Sequence, residues 1–129
     1  MKYLLDPHLI IWFLRNDDKI PPVIKSLIID GDNQCFVSIV SLWEISIKYS
    51  LGRLDLPVTL KELDYFILES GFSYLPIEQS HVFQSAKLPF HHQDPFDRLI
   101  IGQAIEEDFQ LISKDRQFSK YQVSMHPWK

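Results

Sequence analysis

The sequence predicts an α/β protein in which a mainly parallel sheet lies between two layers of helices. Short apolar runs at residues 2–5, 35–39, 72–77 and 109–113 alternate with segments of helical periodicity. Alternating strands and helices imply crossover connections, which make the strands parallel and put helices on both faces. The chain has 129 residues, 46% of them hydrophobic and 23% charged, as is typical of one globular domain. We therefore expect a single three-layer α/β/α sandwich over residues 1–129.

The N-terminal segment begins with a strand over residues 2–5. It is followed at once by Asp6 and Pro7, an acid at the N-cap and a proline at the first helical position. Residues 9–14 are apolar on every side, which predicts a buried helix. A proline pair opens a second helix over about residues 21–30.

The middle of the chain predicts a second strand and two helices. β-branched and aromatic residues mark the strand at 35–39. Ser41 and Glu44 have the spacing of a capping box, so we expect a helix to open at Ser41 and to end near Gly52. Apolar side chains at helical spacing predict another helix over residues 60–70.

The C-terminal half continues the alternation. We expect a strand over residues 72–77, a short helix over 80–87, a helix over about 95–108 and a final core strand over 109–113. Residues 116–129 form a short aromatic tail.

Composition narrows the function classes. A formal net charge of −4 argues against a protein that coats nucleic acid through a broad basic face. The single cysteine, Cys35, cannot form an internal disulfide and favours a reducing compartment. The N terminus reaches Asp6 before a signal-like stretch develops, and no apolar run approaches a membrane span. These features predict a cytoplasmic protein that does not enter a membrane.

Four acids follow strands or open helices at the same predicted rim of the sheet. Asp6 closes the first strand, Asp115 follows the last strand, and Glu44 and Asp97 lie in the expected first turns of two helices. Ligands of open α/β sheets bind outside the carboxyl ends of the strands. Carboxylates that lie close together repel one another, which raises their pKa values. A bound divalent cation offsets this repulsion and keeps them ionised. Mg²⁺ or Mn²⁺ prefers oxygen ligands, and such a site suits phosphodiester hydrolysis.

The four acids receive different roles in this hypothesis. We assign Asp6 and Asp97 as primary metal ligands, and Asp115 as a direct or water-mediated ligand. Glu44 is a ligand or the group that orients the nucleophilic water. These roles make all four acids both catalytic and metal-ligating.

Each acid also has a structural explanation. Asp6 is a good N-cap, Asp115 fits a turn, and Glu44 fits a capping box and an ion pair with Lys48 four residues later. Asp97 fits the third position of a capped helix. Only the shared location of the four favours a catalytic site.

Asp97 is the most informative acid, because it projects into the apolar stripe of its helix, whereas Arg98 and Glu106 point away. His91, His92 and Asp94 suggest a zinc site, but the chain lacks a thiolate pair or a second spaced histidine pair. We therefore interpret the two histidines as loop residues near the cleft.

Other side chains have more ordinary interpretations. Trp12 and Trp43 lie at helical spacing in apolar runs, which predicts core packing rather than base stacking. Scattered cations are usually solvated, although five of them are candidates for holding phosphates. These are Lys48, Arg53, Arg98, Lys114 and Arg116.

Four ordered segments resemble the motifs of PIN-domain ribonucleases, and within them the VapC-like toxins of toxin–antitoxin pairs. They are residues 4–8, 37–45, 94–100 and 113–115, which span nearly the whole chain. The resemblance implies a PIN-like fold and magnesium-dependent cleavage of RNA. It implies an acidic site made of Asp6, Glu44, Asp97 and Asp115. It also implies a homodimer, and an antitoxin encoded next door whose C-terminal segment covers the site.

The sequence departs from this family at Pro7, where relatives often carry threonine or serine, whereas Ser113 keeps a hydroxyl at the last strand. Two alternatives remain. One is a receiver-like phosphoacceptor, which also gathers acids at strand ends but needs a mid-chain strand-end aspartate. The other is a catalytically silent interaction module of similar fold.

Overall fold

A computed structural model describes residues 1–128 and builds them from parallel strands and helices in alternation. The elements in chain order are β1 (Lys2–Leu5), α1 (Pro7–Leu14), α2 (Pro22–Ile29), β2 (Gln34–Ser38), α3 (Ile39–Ser50), α4 (Leu60–Glu69), β3 (Ser73–Leu75), α5 (Gln79–Ala86), α6 (Pro95–Glu107) and β4 (Gln110–Ile112). The predicted order of elements is confirmed. β3 is shorter than predicted, and the C-terminal tail contains a 3-10 turn over Phe118–Lys120.

The strands form one parallel sheet in the order β3-β2-β1-β4. Leu5 aligns with Val37 of β2 and with Ile112 of β4. β1 therefore lies between two neighbours, and Asp6 leaves the sheet beside the end of β4. The tail returns to this edge, where Met125 forms an isolated parallel bridge with Leu111.

The two faces of β1 are both buried. Leu5 belongs to a core cluster with residues of α1, α2 and α4, whereas Leu4 belongs to a second cluster with residues of α6. Successive strand residues point to opposite faces of a sheet. Helices therefore cover both faces, and the predicted three-layer α/β/α sandwich is confirmed. None of the helices in residues 1–128 has both the length and the apolar character that a membrane crossing needs.

The N-caps of α1 and α3 both lie at the carboxyl edge of the sheet. Asp6 caps α1, and its side chain accepts from the His8 amide at 2.7 Å, as predicted. α3 begins earlier than predicted, because Ser38 caps it by accepting from the Val40 amide at 3.0 Å. The capping box predicted at Ser41 is therefore wrong. The last residue of β2 already has the extended backbone and the hydroxyl of an N-cap, so no loop separates strand and helix.

Two further expectations are corrected by the packing. Trp43 is 55% exposed on α3, and its ring meets the edge of Phe96, whereas Trp12 packs against the first core cluster as predicted. Arg98 is 7% exposed instead of pointing away, because its guanidinium donates to main-chain carbonyl groups at the end of α5. The acceptors are the oxygens of Ser85, Leu88 and Pro89, at 3.1, 3.1 and 2.8 Å. Because the guanidinium donates to three carbonyl groups, it is not free to bind a phosphate group.

The α5–α6 contact depends on a glycine. A Cβ atom added at Gly102 would lie 2.8 Å from the His81 carbonyl oxygen and 3.0 Å from the Ser85 amide nitrogen. Both are backbone atoms, so relief of the clash requires the two helices to separate.

We predict that Gly102→Ala lowers the free energy of unfolding by about 1–3 kcal/mol, the usual cost of overpacking, despite the better helix propensity of alanine. Gly31→Ala is the matched control, because a Cβ atom there meets nothing within 4 Å. Urea denaturation of both variants measures the difference. Equal stability of the two variants would show that α5 and α6 are not packed this closely.

Candidate active site

Asp6 is the buried centre of the acidic site, with 4% of its surface exposed. One carboxylate oxygen accepts from the His8 amide at 2.7 Å and contacts the His8 ring nitrogen Nδ1 at 3.2 Å. The other oxygen accepts a hydrogen bond from the Ser113 hydroxyl, just after β4. The hydroxyl that Pro7 lacks is thus supplied by the neighbouring strand. The hydrogen bond to Asp6 also raises the pKa of His8 above its usual value.

Asp115 lies at the same carboxyl edge of the sheet as Asp6. Its amide donates to the Ser113 hydroxyl oxygen at 2.9 Å, so one serine links the two acids. Asp6 and Asp115 also line a cleft of about 350 Å³ together with Trp12 and Lys114. Asp115 is exposed, and its carboxylate accepts from the Gln117 amide at 2.9 Å, which confirms the turn geometry considered for it.

Asp97 lies in the first turn of α6, and 15% of its side chain is exposed. Asp94 caps the helix by accepting from the amides of Phe96 and Asp97, at 2.9 and 3.1 Å. The Asp97 carboxylate therefore does not cap the helix. It instead contacts His92 Nε2 at 3.1 Å. The expectation that His92 lies in a loop near the site is confirmed.

Glu44 is 5% exposed and lies well inside α3. Its Oε2 atom accepts from Lys48 Nζ at 2.7 Å, so the predicted ion pair is confirmed. Its Oε1 atom is buried and has no hydrogen-bond partner. A buried carboxylate oxygen without a partner is costly, and Glu44 Oε1 could accept a ligand, although Ser41 Oγ three residues earlier is also buried without a partner.

The acids influence one another electrostatically. Burial raises the pKa of Asp97 to about 6, and the negative charges of Asp94, Asp6 and Glu44 add to this, against the His92 hydrogen bond that lowers it. Lys48 is the cation between them. Its pKa is raised first by the bond to Glu44 and further by Asp94 and Asp97. Asp6, Glu44 and Asp97 thus share one electrostatic environment, and Asp115 joins it through Ser113 and the cleft.

The donor set fits a hard divalent cation. It consists of carboxylate oxygens, which Mg²⁺ and Mn²⁺ prefer, and it includes the unpartnered oxygen of Glu44. Within residues 1–128, no group of three His, Cys, Asp or Glu side chains stands close enough to enclose a metal ion by itself. An ion held by these acids would therefore have to keep water molecules in much of its coordination shell, as Mg²⁺ usually does.

One residue near these acids, Tyr121, was given no role by the sequence. Tyr121 bonds to His92 although 29 residues separate them, and no local pattern indicates such a contact. The structure does not support a zinc site at His91, His92 and Asp94, since Asp94 caps α6 and both ring nitrogens of His92 are hydrogen-bonded.

Comparison with known proteins decides the family. The PIN domain family model matches residues 3–123. The protein belongs to the PIN-domain family. The family model covers the segments that carry all four acids, and the receiver-like alternative is thereby removed. No protein of curated function matches the chain in sequence.

Solved structures show the same fold at low sequence identity. A chain of VapBC2 from Rickettsia felis, bound to a DNA fragment from their promoter, has a TM-score of 0.73 at 18% identity, with both chains fully covered. A chain of VapBC-1 from nontypeable Haemophilus influenzae has a TM-score of 0.70 at 16% identity, covering 99% of this chain and 98% of that one. The PIN domain endonuclease Utp24 has a TM-score of 0.52 at 11% identity, covering 92% and 74%.

The raised pKa of Asp97 makes stability depend on pH. Because this pKa is higher in the folded protein than in the unfolded chain, protonated Asp97 stabilises the fold. That contribution is complete below about pH 4, the ordinary aspartate value, and is lost as the pH rises through about 6. We predict that Asp97→Asn, measured in EDTA, raises the free energy of unfolding by about 2 kcal/mol at pH 8 and leaves it unchanged at pH 4.

Denaturation curves at the two pH values check this prediction. Asp108→Asn is the control, because Asp108 is exposed at the left-handed C-cap of the same helix, where asparagine is well tolerated. A pH dependence that is the same in Asp97→Asn and in the wild type contradicts the raised pKa.

Proposed function

We propose that this PIN-domain protein is a metal-dependent endoribonuclease that hydrolyses RNA phosphodiester bonds, and the toxin of a toxin–antitoxin pair. The observation that carries the proposal is Asp97, a carboxyl whose pKa is raised to about 6 by burial and by Asp94, Asp6 and Glu44. An ordinary structural site would pair these acids with cations. Here Lys48 is the ion-pair partner of Glu44, while Asp6 and Asp97 contact neutral groups and histidine.

Asp6 and Asp97 are the primary ligands for Mg²⁺ or Mn²⁺ in this proposal, and Asp115 binds directly or through water. Glu44 binds the ion or orients the attacking water, a role supported by its unpartnered Oε1 atom. The bound ion would neutralise charge on the phosphodiester and activate water for attack. Two oxygens of Asp6 already accept hydrogen bonds, but a carboxylate oxygen has a further lone pair for a metal.

The cations beside the acids are the candidates for holding RNA. Lys114 lines the cleft with Asp6 and Asp115, and Lys48 is tied to Glu44. A protein of net charge −4 must grip nucleic acid locally, which suits cations placed next to the metal ligands. Arg98 is excluded from this role because carbonyl groups occupy its guanidinium.

The proposal includes an antitoxin that covers the site, a homodimer and a cytoplasmic location. The similar chains from Rickettsia felis and Haemophilus influenzae belong to VapBC proteins, and a similar chain from Neisseria gonorrhoeae belongs to FitAcB, with a TM-score of 0.70 at 18% identity and 98% and 97% coverage. A Salmonella typhimurium VapBC chain has a TM-score of 0.73 at 14% identity, with 100% and 99% coverage. The single buried Cys35 is consistent with a reducing cytoplasm.

We predict that the purified protein cleaves labelled RNA in Mg²⁺ or Mn²⁺, and that EDTA or Asp97→Asn reduces the rate at least about 100-fold, as expected when a metal ligand is lost. Gel analysis of a broad RNA panel measures the products. Asp108→Asn, on the same helix, should retain wild-type activity.

Three results would count against the nuclease. Cleavage that persists in the double variant Asp6→Asn and Asp97→Asn would contradict the assigned site. Cleavage that persists in EDTA would contradict metal dependence. No cleavage of any RNA, by a folded protein free of antitoxin, would favour the catalytically silent module.

We predict that a small protein encoded beside the gene of this PIN-domain protein forms a stable complex with the PIN-domain protein and inhibits its cleavage of RNA. Coexpression followed by size-exclusion chromatography with light scattering tests the complex, and gives the oligomeric state of the free protein in the same experiment. A neighbouring protein that neither binds nor inhibits would contradict the toxin–antitoxin assignment and leave the nuclease assignment to its own assay.

A further inference from the structure

A chain of hydrogen bonds runs from the C-terminal segment to the Asp97 carboxylate. Tyr121 Oη lies 2.7 Å from His92 Nδ1, and His92 Nε2 lies 3.1 Å from Asp97 Oδ2. Tyr121 is 5% exposed, and the side chains of His92 and Asp97 are 14% and 15% exposed. The three groups are thus shielded from water and arranged in series.

Hydrogen-bond accounting determines which ring nitrogen of His92 carries the proton. Tyr121 Oη accepts from the His92 amide at 3.1 Å and from Arg98 Nη1 at 3.4 Å, two groups that can only donate. Its own proton then has two acceptors, His92 Nδ1 at 2.7 Å and the His92 carbonyl oxygen at 3.3 Å. The shorter contact is to Nδ1. The Asp97 carboxylate beside Nε2 can only accept, so neutral His92 donates from Nε2 and accepts at Nδ1.

The direction of these bonds decides what Asp97 presents to the site. The Nε2–H group of His92 donates to Oδ2 of Asp97, which holds the carboxylate in one orientation. The Asp97 amide bonds to Asp94 and fixes the backbone beneath it. Oδ2 thus uses one lone pair for His92, and its second lone pair and Oδ1 remain for a ligand.

We propose that Tyr121 and His92 are positioning residues that orient Asp97 for the divalent cation, with Tyr121 acting through His92, whose ring it holds in place by the bond to Nδ1. This inference rests on the proposed function, since it assigns a purpose to a carboxylate of that site. Partners behind a metal ligand commonly change metal affinity about 10- to 100-fold when they are removed.

Arg98, which donates to Tyr121 Oη, is held in place by contacts of its own. Arg98 follows Asp97 on α6, donates to three carbonyl groups and lies over the Phe90 ring at 4.0 Å from its centroid. The Tyr121 ring contacts the His91 ring with centroids 4.9 Å apart. Loss of the Tyr121 hydroxyl thus leaves the ring packing in place, which makes Tyr121→Phe a suitable probe.

The first experiment reads the tautomer directly and needs neither metal nor RNA. Nitrogen NMR of the histidine rings distinguishes a protonated Nε2 from a protonated Nδ1. We expect His92 to carry its proton on Nε2 in the wild type and in Tyr121→Phe, because the Asp97 carboxylate only accepts, whereas the Nδ1 resonance should shift in Tyr121→Phe as its hydrogen bond is lost. A wild-type His92 protonated on Nδ1, or an Nδ1 resonance unchanged in Tyr121→Phe, would overturn the inference.

The second experiment measures Mn²⁺ binding by calorimetry. Tyr121→Phe should weaken binding about 10-fold. Tyr74→Phe is the matched control, because it removes a tyrosine hydroxyl that donates to Asp64 at 2.6 Å, and it should leave binding unchanged. His92→Gln keeps a side-chain N–H donor and should bind more tightly than His92→Ala.

A double-mutant cycle separates positioning from general stability. In a His92→Ala background, Tyr121→Phe should not weaken Mn²⁺ binding further, although it should still lower the thermal unfolding temperature there, because the hydroxyl also accepts from the His92 amide and from Arg98. Equal weakening in both backgrounds would show that Tyr121 does not act through His92. If the wild type binds Mn²⁺ but cleaves no RNA, the nuclease assignment fails while the binding data still decide the positioning role.

Discussion

Asp6 joins the two ends of the chain at the carboxyl edge of the sheet. Its carboxylate accepts from the His8 amide at the start of α1 and from the hydroxyl of Ser113, which lies 107 residues further along. β1 pairs with β2 on one side and with β4 on the other, so the acid that follows it reaches the centre of this edge. Ser113 links Asp115 to this buried carboxylate, and the negative charge of Asp6 contributes to the raised pKa of Asp97.

The burial of several acids at one edge of the sheet is energetically unfavourable for Asp97 and Glu44. The first has a raised pKa because burial and three neighbouring carboxylates disfavour its charge, and the second keeps a buried oxygen without a partner. Proteins accept such costs at functional sites, where a ligand removes them on binding. In the proposed function a divalent cation would do this for both residues at once, since it would neutralise repulsion and supply a partner to an unpaired oxygen. Stability and function therefore make opposite demands on the same carboxylates.

Local signals in the sequence were sufficient for the fold and for the location of the acids. Asp6 before Pro7 marks a strand that turns into a helix, and alternating segments imply a parallel sheet. The start of α3 was misplaced because Ser38 and Ser41 both have the chemistry of a cap, and only the backbone at Ser38 is extended. The exposure of Trp43 was missed because an apolar run does not reveal which of its faces is uncovered.

Contacts between distant segments were beyond such reasoning. Periodicity placed Arg98 on the outer face of α6, but the end of α5 approaches that face, and carbonyl groups there accept from the guanidinium and draw it inward. The pairing of Tyr121 with His92 likewise depends on where the tail returns to the sheet, which strand and helix patterns do not specify. The sequence therefore identified the candidate acids, whereas the groups that contact them required the three-dimensional structure.

The most direct test of the metal site is a crystal of the protein soaked in Mn²⁺ and measured for anomalous scattering. The account predicts an ion within about 2–2.5 Å of carboxylate oxygens of Asp6 and Asp97, with water completing its coordination. Asp115 or Glu44 would lie in direct or water-mediated contact with it. An ion bound elsewhere, or no ion at millimolar Mn²⁺ with these acids accessible, would contradict the claim that the carboxylates are gathered to hold a metal.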